Sequence, residues 1–310
     1  MTKTTMAKIL FFIIVVYALS PYGNSAIALF SGIILASFLE NPFKVFTKTY
    51  TSKLLQICII GLGAGMNLMV VGSVGAQGVG YTVVGITLTA LAGFILSKLL
   101  KTDFILSTLI TIGTAICGGS AIAATSPILK ADNETISISL GVVFILNALA
   151  LFIFPPVGHM MDLSQHQFGL WSALAIHDTS SVVGAAMQYG PVALEYATTV
   201  KLARALWIIP ISLGLALLMK SNNKVKIPWF IFGFILAAAL VTWIPDLKPA
   251  GDILSSAAKR LLIVTLFFIG LNLNWASIKK VGPRPLLLGV LLWLIVGSGT
   301  LLFIKLNIIS

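Results

Sequence analysis

The sequence predicts an all-α, polytopic membrane protein that forms a single transmembrane domain over residues 1–310. Of its residues, 58% are hydrophobic and 9% are charged, whereas a soluble domain carries about 25% charged residues. The apolar residues form long runs and do not alternate with polar ones, which favours helices over the strands of an outer-membrane barrel. Composition and pattern together exclude a water-soluble globular protein.

A helix needs about 20 apolar residues to cross the hydrocarbon core of a bilayer, and the chain holds eleven runs that approach this length. The predicted spans are residues 6–20, 25–39, 54–71, 79–97, 104–126, 136–154, 170–187, 197–219, 228–244, 257–273 and 286–304. The first run is short and, with Lys3 and Lys8, also resembles a signal peptide. No clean A-x-A-like cleavage site follows it, so we expect it to be retained.

The distribution of Lys and Arg over alternate loops predicts the orientation in the membrane. One side carries Lys3, Lys8, Lys44, Lys48, Lys53, Lys98, Lys101, Lys220, Lys224, Lys226, Lys279, Lys280 and Arg284, and the other carries Lys130, Lys248 and Lys305. The N-terminus is therefore predicted to be cytoplasmic and the C-terminus external. Membrane orientation accounts for the basic residues that give the net charge of +11. No nucleic-acid partner is expected, because the basic clusters lack aromatic interleaving and a recognition motif.

The fifth predicted span contains two adjacent glycines, Gly118 and Gly119, between Cys117 and Ser120. A continuous helix gains nothing from Gly-Gly, so the pattern favours an interruption that leaves N–H groups and the positive end of a half-helix free. Such an end binds anions when it faces a cavity in the protein. The alternative is close helix packing through small residues.

The seventh predicted span contains five consecutive polar residues, His177, Asp178, Thr179, Ser180 and Ser181. An ionised Asp at a helix centre costs about 3 kcal/mol on insertion scales, so these residues are expected to face a cavity and to serve function. The alternative is that Asp178 pairs with a base and holds two helices together.

The eighth predicted span supplies two bases, Lys201 and Arg204, which lie three residues apart and share one helix face. Together with Asp178 they leave one surplus positive charge, which favours an anionic substrate. The alternative is that both side chains extend to the headgroups. Lys259 and Arg260, at the start of the tenth span, are expected to do so.

Other patterns argue against an enzyme, a metal site and a cofactor. Cys58 and Cys117 lie in apolar runs, without the spacing of metal ligands. The chain has no GxxxxGK[ST] phosphate loop, so a transporter of this sequence would draw on an ion gradient or the membrane potential. A short internal echo links residues 65–68 and 74–75 with 270–273 and 281–282, as in transporters built from repeats.

Taken together, these motifs resemble the YeiH type of bacterial inner-membrane protein, a family described as sulfate exporters. The resemblance runs from about residue 54 to the C-terminus and rests on residues 113–121, His177, Asp178, Lys201, Arg204 and residues 227–230. It implies that the protein lies in the bacterial inner membrane. The family is related to bile-acid and arsenite carriers, so the resemblance also implies a fold with inverted repeats and two broken, crossing helices. The family usually shows His-Glu followed by Gln-Val, where this chain has His177-Asp178 and then Ser181-Val182.

The leading hypothesis is a secondary transporter that exports a small oxyanion such as sulfate or sulfite by alternating access. Its predicted substrate-binding residues are Cys117, Gly118, Gly119, Ser120, His177, Asp178, Ser180, Ser181, Lys201 and Arg204. The expected partners are this anion, a coupled proton or sodium ion, the lipid bilayer and, as one option for assembly, a second copy in a homodimer. The alternatives are a sodium or proton antiporter, an organic-anion symporter and an intramembrane serine protease with a Ser120–His177 dyad.

Overall fold

A computed structural model describes residues 3–220, 228–272 and 281–309 of the chain, and this part is helical without strands. The helices are α1 (Lys3–Leu19), α2 (Ser25–Phe38), α3 (Lys44–Gly63), α4 (Leu68–Leu99), α5 (Phe104–Ala115), α6 (Gly119–Thr125), α7 (Asn133–Met160), α8 (Gln165–Ala175), α9 (Thr179–Tyr189), α10 (Pro191–Ala205), α11 (Ile208–Leu218), α12 (Trp229–Trp243), α13 (Lys248–Asn272) and α14 (Pro283–Lys305). Lys224, Lys226, Lys279, Lys280, Ile227 and Leu273, which entered the sequence predictions, lie outside the described residues.

Several helices are long and apolar enough to cross a membrane. Within the described ranges, five segments meet this standard: Leu68–Leu99, Glu134–Met160, Pro191–Leu218, Pro245–Asn272 and Pro283–Lys305. Shorter apolar helices accompany them. The all-helical, polytopic fold is therefore confirmed, whereas the count of eleven spans and the inverted repeat stay predictions.

The chain divides into two compact units. The first unit comprises Met1–Ser73 and Trp229–Trp275, and the second comprises Val74–Pro228 and Ala276–Ser310. Each unit thus combines segments that are far apart in sequence. The residues singled out in the fifth, seventh and eighth predicted spans all belong to the second unit.

The first unit is held together by close backbone contact between α2 and α13. A Cβ atom built on Gly32 would lie 2.4 Å from the carbonyl oxygen of Phe267, and one built on Gly270 would lie 2.2 Å from that of Leu29. Only glycine fits at both positions, because the two backbones touch, as small residues permit between membrane helices. Asn272 adds polar contacts to α3, since its amide donates to Thr51 Oγ1 at 3.3 Å.

Two predicted spans of the first unit have wrong boundaries. The third, predicted over 54–71, is α3 (Lys44–Gly63), because Thr47 in its first turn is buried and donates to Asn272 Oδ1 at 3.0 Å. The tenth, predicted over 257–273, begins nine residues earlier as part of α13 (Lys248–Asn272). Both helices start with a polar, lysine-bearing turn, which hydropathy alone assigns to a loop.

Arg260, which is expected to extend to the headgroups, makes specific contacts to the end of α1. Arg260 lies inside α13 and donates through Nη1 to the carbonyl oxygens of Ser20 at 2.8 Å and Pro21 at 3.2 Å. These carbonyls follow the C-terminal end of α1, where a cation is favourable. Arg260 therefore fastens α1 to α13.

The second unit packs α5, α7 and α14 around an apolar core. Ile110 of α5, Val142 and Leu146 of α7, and Leu288 and Leu292 of α14 are fully buried in one cluster. Helix α7 also contacts α6 and α9, so it lies beside the helices that contain the predicted site residues.

Candidate functional site

The fifth predicted span is interrupted in its middle, as the glycine pair indicates. Helix α5 ends at Ala115 and α6 begins at Gly119. Gly118 adopts φ +64° and ψ −127°, a conformation that favours glycine, and its N–H donates to the carbonyl oxygen of Gly113 at 2.8 Å. The predicted interruption of this span is therefore present.

The seventh predicted span is interrupted as well. Helix α8 ends at Ala175, Ile176 is extended, and Asp178 caps the N-terminus of α9. The Asp178 carboxylate accepts a hydrogen bond from the N–H of Ser181 at 3.1 Å and another from the hydroxyl of Ser180. Because these bonds satisfy the carboxylate locally, the run of polar residues serves first as a helix cap.

The two interruptions meet inside the second unit. A Cβ atom built on Gly118 would lie 3.1 Å from Cβ of Asp178 and 3.2 Å from Cγ1 of Val143 in α7. The absence of a side chain at Gly118 thus lets the two broken segments touch at their breaks. This contact brings the two polar motifs, about 60 residues apart in sequence, into one place.

Helices α8 and α10 run side by side in the same direction, which explains why the bases reach the site. At their starts, Gln165 Oε1 accepts hydrogen bonds from the N–H groups of Val192 at 2.9 Å and Ala193 at 3.3 Å. Both helices rise about 1.5 Å per residue, so Lys201, nine residues after Val192, lies level with the C-terminal end of α8.

Arg204 connects the C-terminal ends of α5 and α8. Its Nε donates to the carbonyl oxygen of Ala115 at 2.7 Å and its Nη2 to that of Thr114 at 3.2 Å. Its Nη1 donates to the carbonyl oxygens of Ala173 at 3.3 Å and Leu174. The planar fork of the guanidinium suits this double role.

Lys201 completes the arrangement on the same face of α10. Its Nζ donates to the carbonyl oxygens of Ile176 at 2.6 Å and Ala173 at 3.2 Å. Lys201 is 0% and Arg204 1% exposed, so the alternative that they extend to the headgroups is wrong. Both cations instead satisfy the carbonyls at helix ends, where the backbone dipoles favour positive charge.

The remaining predicted site residues line or flank the two interruptions. Cys117 and Gly118 are buried in the first, Gly119 is half-buried, and Ser120 is exposed. In the second, His177, Ser180 and Ser181 are buried, whereas Asp178 is partly exposed.

Two buried polar groups at the second interruption have no hydrogen-bond partner among the described residues. They are the side-chain Nδ2 of Asn147 in α7 and both ring nitrogens of His177. Asn147 Oδ1 accepts from the N–H groups of His177 at 3.2 Å and Asp178 at 3.3 Å. Buried polar groups without partners are rare in folded proteins.

A cavity of about 420 Å³ lies beside the first interruption and is lined by α4, α5 and α11. Its wall includes Ala115 and Ile116, so it reaches the end of α5 that Arg204 holds. The lining is apolar apart from the hydroxyls of Thr87, Ser97, Ser107, Thr108 and Thr111. None of the described residues that line it is charged, so the charges of the site lie outside this cavity.

The described residues contain no group of three or more His, Cys, Asp or Glu side chains that could hold a metal ion. The cysteines are consistent with this, because Cys58 and Cys117 are both buried and free. The polar side chains of the site are amide, imidazole, hydroxyl and cationic groups, together with the partly exposed carboxylate of Asp178.

Sequence reasoning missed two residues of the site. Asn147 and Gln165 are not among the predicted site residues. A lone amide in an apolar run does indicate an interhelical hydrogen bond, but no sequence signal identifies the second helix interruption as its partner.

Comparisons with known proteins agree with the resemblance. A family model described as Conserved hypothetical protein 698 matches residues 6–289. The UPF0324 membrane protein of Bdellovibrio bacteriovorus is 56% identical over 97% of this chain and 95% of its own length. Relatives of the same description from Photobacterium profundum and Geobacter sulfurreducens are 48% and 44% identical over 96% and 99% of this chain and 92% and 99% of their own lengths. No solved structure matches the chain. The chain is thus a multi-pass membrane protein and belongs to the UPF0324 family, the YeiH type that its motifs resemble.

Proposed function

We propose that the protein is a secondary transporter of a small oxyanion of the sulfate or sulfite class, working by alternating access around the two interrupted helix pairs. The supporting observation is that two cationic side chains, Lys201 and Arg204, are buried where the interruptions of α5/α6 and α8/α9 meet. Secondary transporters commonly bind their substrates at such discontinuous helices.

The balance of charge supports an anion. Each helix end carries about half an elementary charge, so the C-terminal ends of α5 and α8 offset about one of the two positive charges of Lys201 and Arg204. Asp178 offsets the positive N-terminal ends of α6 and α9. With both bases protonated, about one positive charge remains. Because a buried charge without compensation is costly, an anion would stabilise the site.

Export fits the energetics of such a substrate. The chain carries no phosphate loop for ATP, and the membrane potential drives an anion out of a negative cytoplasm with about 2.3 kcal/mol per charge per 100 mV. His177 and Asp178 lie at the interruption and can change charge, so they are the groups we assign to coupling with a proton. Sodium is the alternative coupling ion.

An organic anion is a second candidate, favoured by the apolar cavity. The cavity of about 420 Å³ beside Ala115 and Ile116 would hold the hydrocarbon part of an organosulfur anion, while the charged part lies at the interruptions. The serine protease alternative has no comparable support, because the ring nitrogens of His177 form no hydrogen bond with Ser120.

Flux measurements with purified protein in liposomes test the proposal. Liposomes loaded with radiolabelled sulfate or sulfite, and a parallel set with taurine or a bile acid, are compared with protein-free liposomes under an imposed membrane potential. We expect saturable release of at least one anion, with the inorganic and organic sets deciding between the two candidates. Absence of flux for every anion would overturn the proposal. Transport of sodium or protons by the protein without any anion would overturn it as well.

A further inference from the structure

We propose that Asn147 contacts the transported anion, and that its amide and the imidazole of His177 form the donor set that selects an oxyanion. This inference rests on the proposed function and names residues that recognise the substrate. Asn147 lies in α7, outside both interrupted helix pairs.

The orientation of the Asn147 amide is fixed by the backbone. Its Oδ1 accepts hydrogen bonds from two consecutive N–H groups, those of His177 at 3.2 Å and Asp178 at 3.3 Å. Because an amide nitrogen cannot accept these bonds, a flipped side chain is excluded. The NH₂ group is therefore held at the interruption, and it is buried without an acceptor among the described residues.

His177 presents a similar situation on the same backbone segment. Its side chain is 1% exposed, and neither Nδ1 nor Nε2 has a hydrogen-bond partner in the described part of the chain. The Asn147 side chain thus contacts the backbone N–H of His177, and the remaining polar atoms of both buried side chains have no partner among the described residues. Such a pair indicates a ligand or an ordered water that completes it.

The chemistry of the unmatched atoms identifies the class of ligand. The Asn147 NH₂ offers two donors, and a neutral imidazole adds one donor and one acceptor. A protonated imidazole would offer two donors and no acceptor. In either form donors outnumber acceptors, so the matching ligand is rich in acceptors. An oxyanion presents oxygens in several directions and meets this requirement, whereas a metal cation or ammonium group does not.

A purely structural role accounts for the Oδ1 atom of Asn147 but not for its NH₂ group. Holding α7 against the second interruption uses Oδ1 alone, and a carboxylate would do the same. Two substitutions separate the roles. Asn147→Asp keeps an oxygen for the two N–H groups and replaces the NH₂ by a second oxygen. His177→Phe keeps a ring of similar size and removes both unmatched nitrogens.

Thermal unfolding of the purified, detergent-solubilised full chain at increasing sulfate and sulfite concentrations tests the inference. Only a ligand that binds the folded state raises the melting temperature saturably. Sulfate also stabilises proteins by salting out, but this effect rises without saturation and is common to all variants. We expect a saturable rise for the wild type. For Asn147→Asp and His177→Phe we expect the half-saturating concentration to rise at least tenfold. The melting temperature of anion-free His177→Phe should equal or exceed that of the wild type, since no hydrogen bond is lost.

The outcomes separate this inference from the proposed function. A saturable rise in the wild type that both variants retain at the same concentration would overturn the role of Asn147 and leave the proposed function standing, with water filling the pair. No saturable rise for either anion, together with no anion flux, would overturn both. Should Asn147→Asp fail to fold, Asn147→Ser, which also removes the NH₂, takes its place with the same expected loss.

Discussion

Lys201 and Arg204 share one hydrogen-bond acceptor, the carbonyl oxygen of Ala173, at 3.2 Å and 3.3 Å. Two cations that meet at one backbone oxygen repel each other, and further acceptors must offset this repulsion. Here they do not act alone, because Arg204 also holds the end of α5 through Ala115, and Lys201 holds Ile176 beyond the end of α8. The pair thus holds the C-terminal ends of α5 and α8 next to each other at the two interruptions.

Arg204 is expected to be essential for stability. Arg204→Ala leaves the carbonyls of Thr114, Ala115 and Leu174 buried without this donor, and each such loss costs about 1 to 3 kcal/mol. We expect a destabilisation of about 3 to 5 kcal/mol, measured by thermal or denaturant unfolding in detergent. Arg204→Lys should fall between the wild type and Arg204→Ala, because a single ammonium cannot bridge both helix ends.

The exposed Lys130 provides the control for charge alone. Lys130→Ala should change stability by less than about 0.5 kcal/mol. Equal stability of Arg204→Ala and the wild type would show that the carbonyls at the helix ends find other partners.

Gly118 is expected to tolerate no side chain. Its φ of +64° disfavours any L residue, and a Cβ atom would approach Asp178 and Val143 to 3.1–3.2 Å. We expect Gly118→Ala to destabilise the protein by about 1 to 3 kcal/mol and to weaken anion binding by moving the interruptions apart. Gly119→Ala is the matched control, because its nearest contacts would lie at an ordinary 3.4 Å. Equal melting temperatures for the two variants would contradict this account.

Asp178 is expected to oppose the anion that the neighbouring groups attract. Asn caps helices about as well as Asp, so Asp178→Asn should preserve stability within about 1 kcal/mol while removing a negative charge. We expect tighter sulfate binding, by roughly threefold or more. Asp178→Ala, which loses the cap to Ser180 and Ser181, should cost about 1 kcal/mol. Weaker binding in Asp178→Asn with intact stability would mean that the carboxylate contacts a coupled cation.

In the first unit, Arg260 and its neighbour offer a test of the helix contact. Arg260→Ala removes the hydrogen bonds to Ser20 and Pro21 and should destabilise the protein by about 1 to 2 kcal/mol. Lys259→Ala should have an effect below about 0.5 kcal/mol. Equal effects of the two substitutions, read from unfolding curves, would show that Arg260 acts only through its charge near the headgroups.

The Gly-Gly pair predicted the first helix interruption, whereas the second was implied only by the family resemblance, although both breaks have a local cause. Gly118 permits a backbone that other residues avoid, and Asp178 with Ser181 forms a helix cap that can be read from residue types. Burial of Lys201 and Arg204 was foreseen only as one of two options. Their bonds to carbonyls depend on the parallel packing of α8 and α10, which no local pattern encodes.

Helix boundaries were harder to predict where polar residues open a helix. Lys44 and Lys248 begin α3 and α13, and a reading by hydropathy starts each helix nine or ten residues too late. Asn147 shows the same limit for the site. Its residue type indicates an interhelical contact, but the identity of the partner follows from tertiary packing.

Equilibrium binding of radiolabelled sulfate or sulfite to the purified protein tests the central claim most directly, because it needs no assumption about direction or coupling. The account predicts about one saturable site per chain, tighter in Asp178→Asn and weaker in His177→Phe, with both variants folded. Absence of saturable binding for both anions in a folded, monodisperse preparation, or binding that is indifferent to both substitutions, would contradict it.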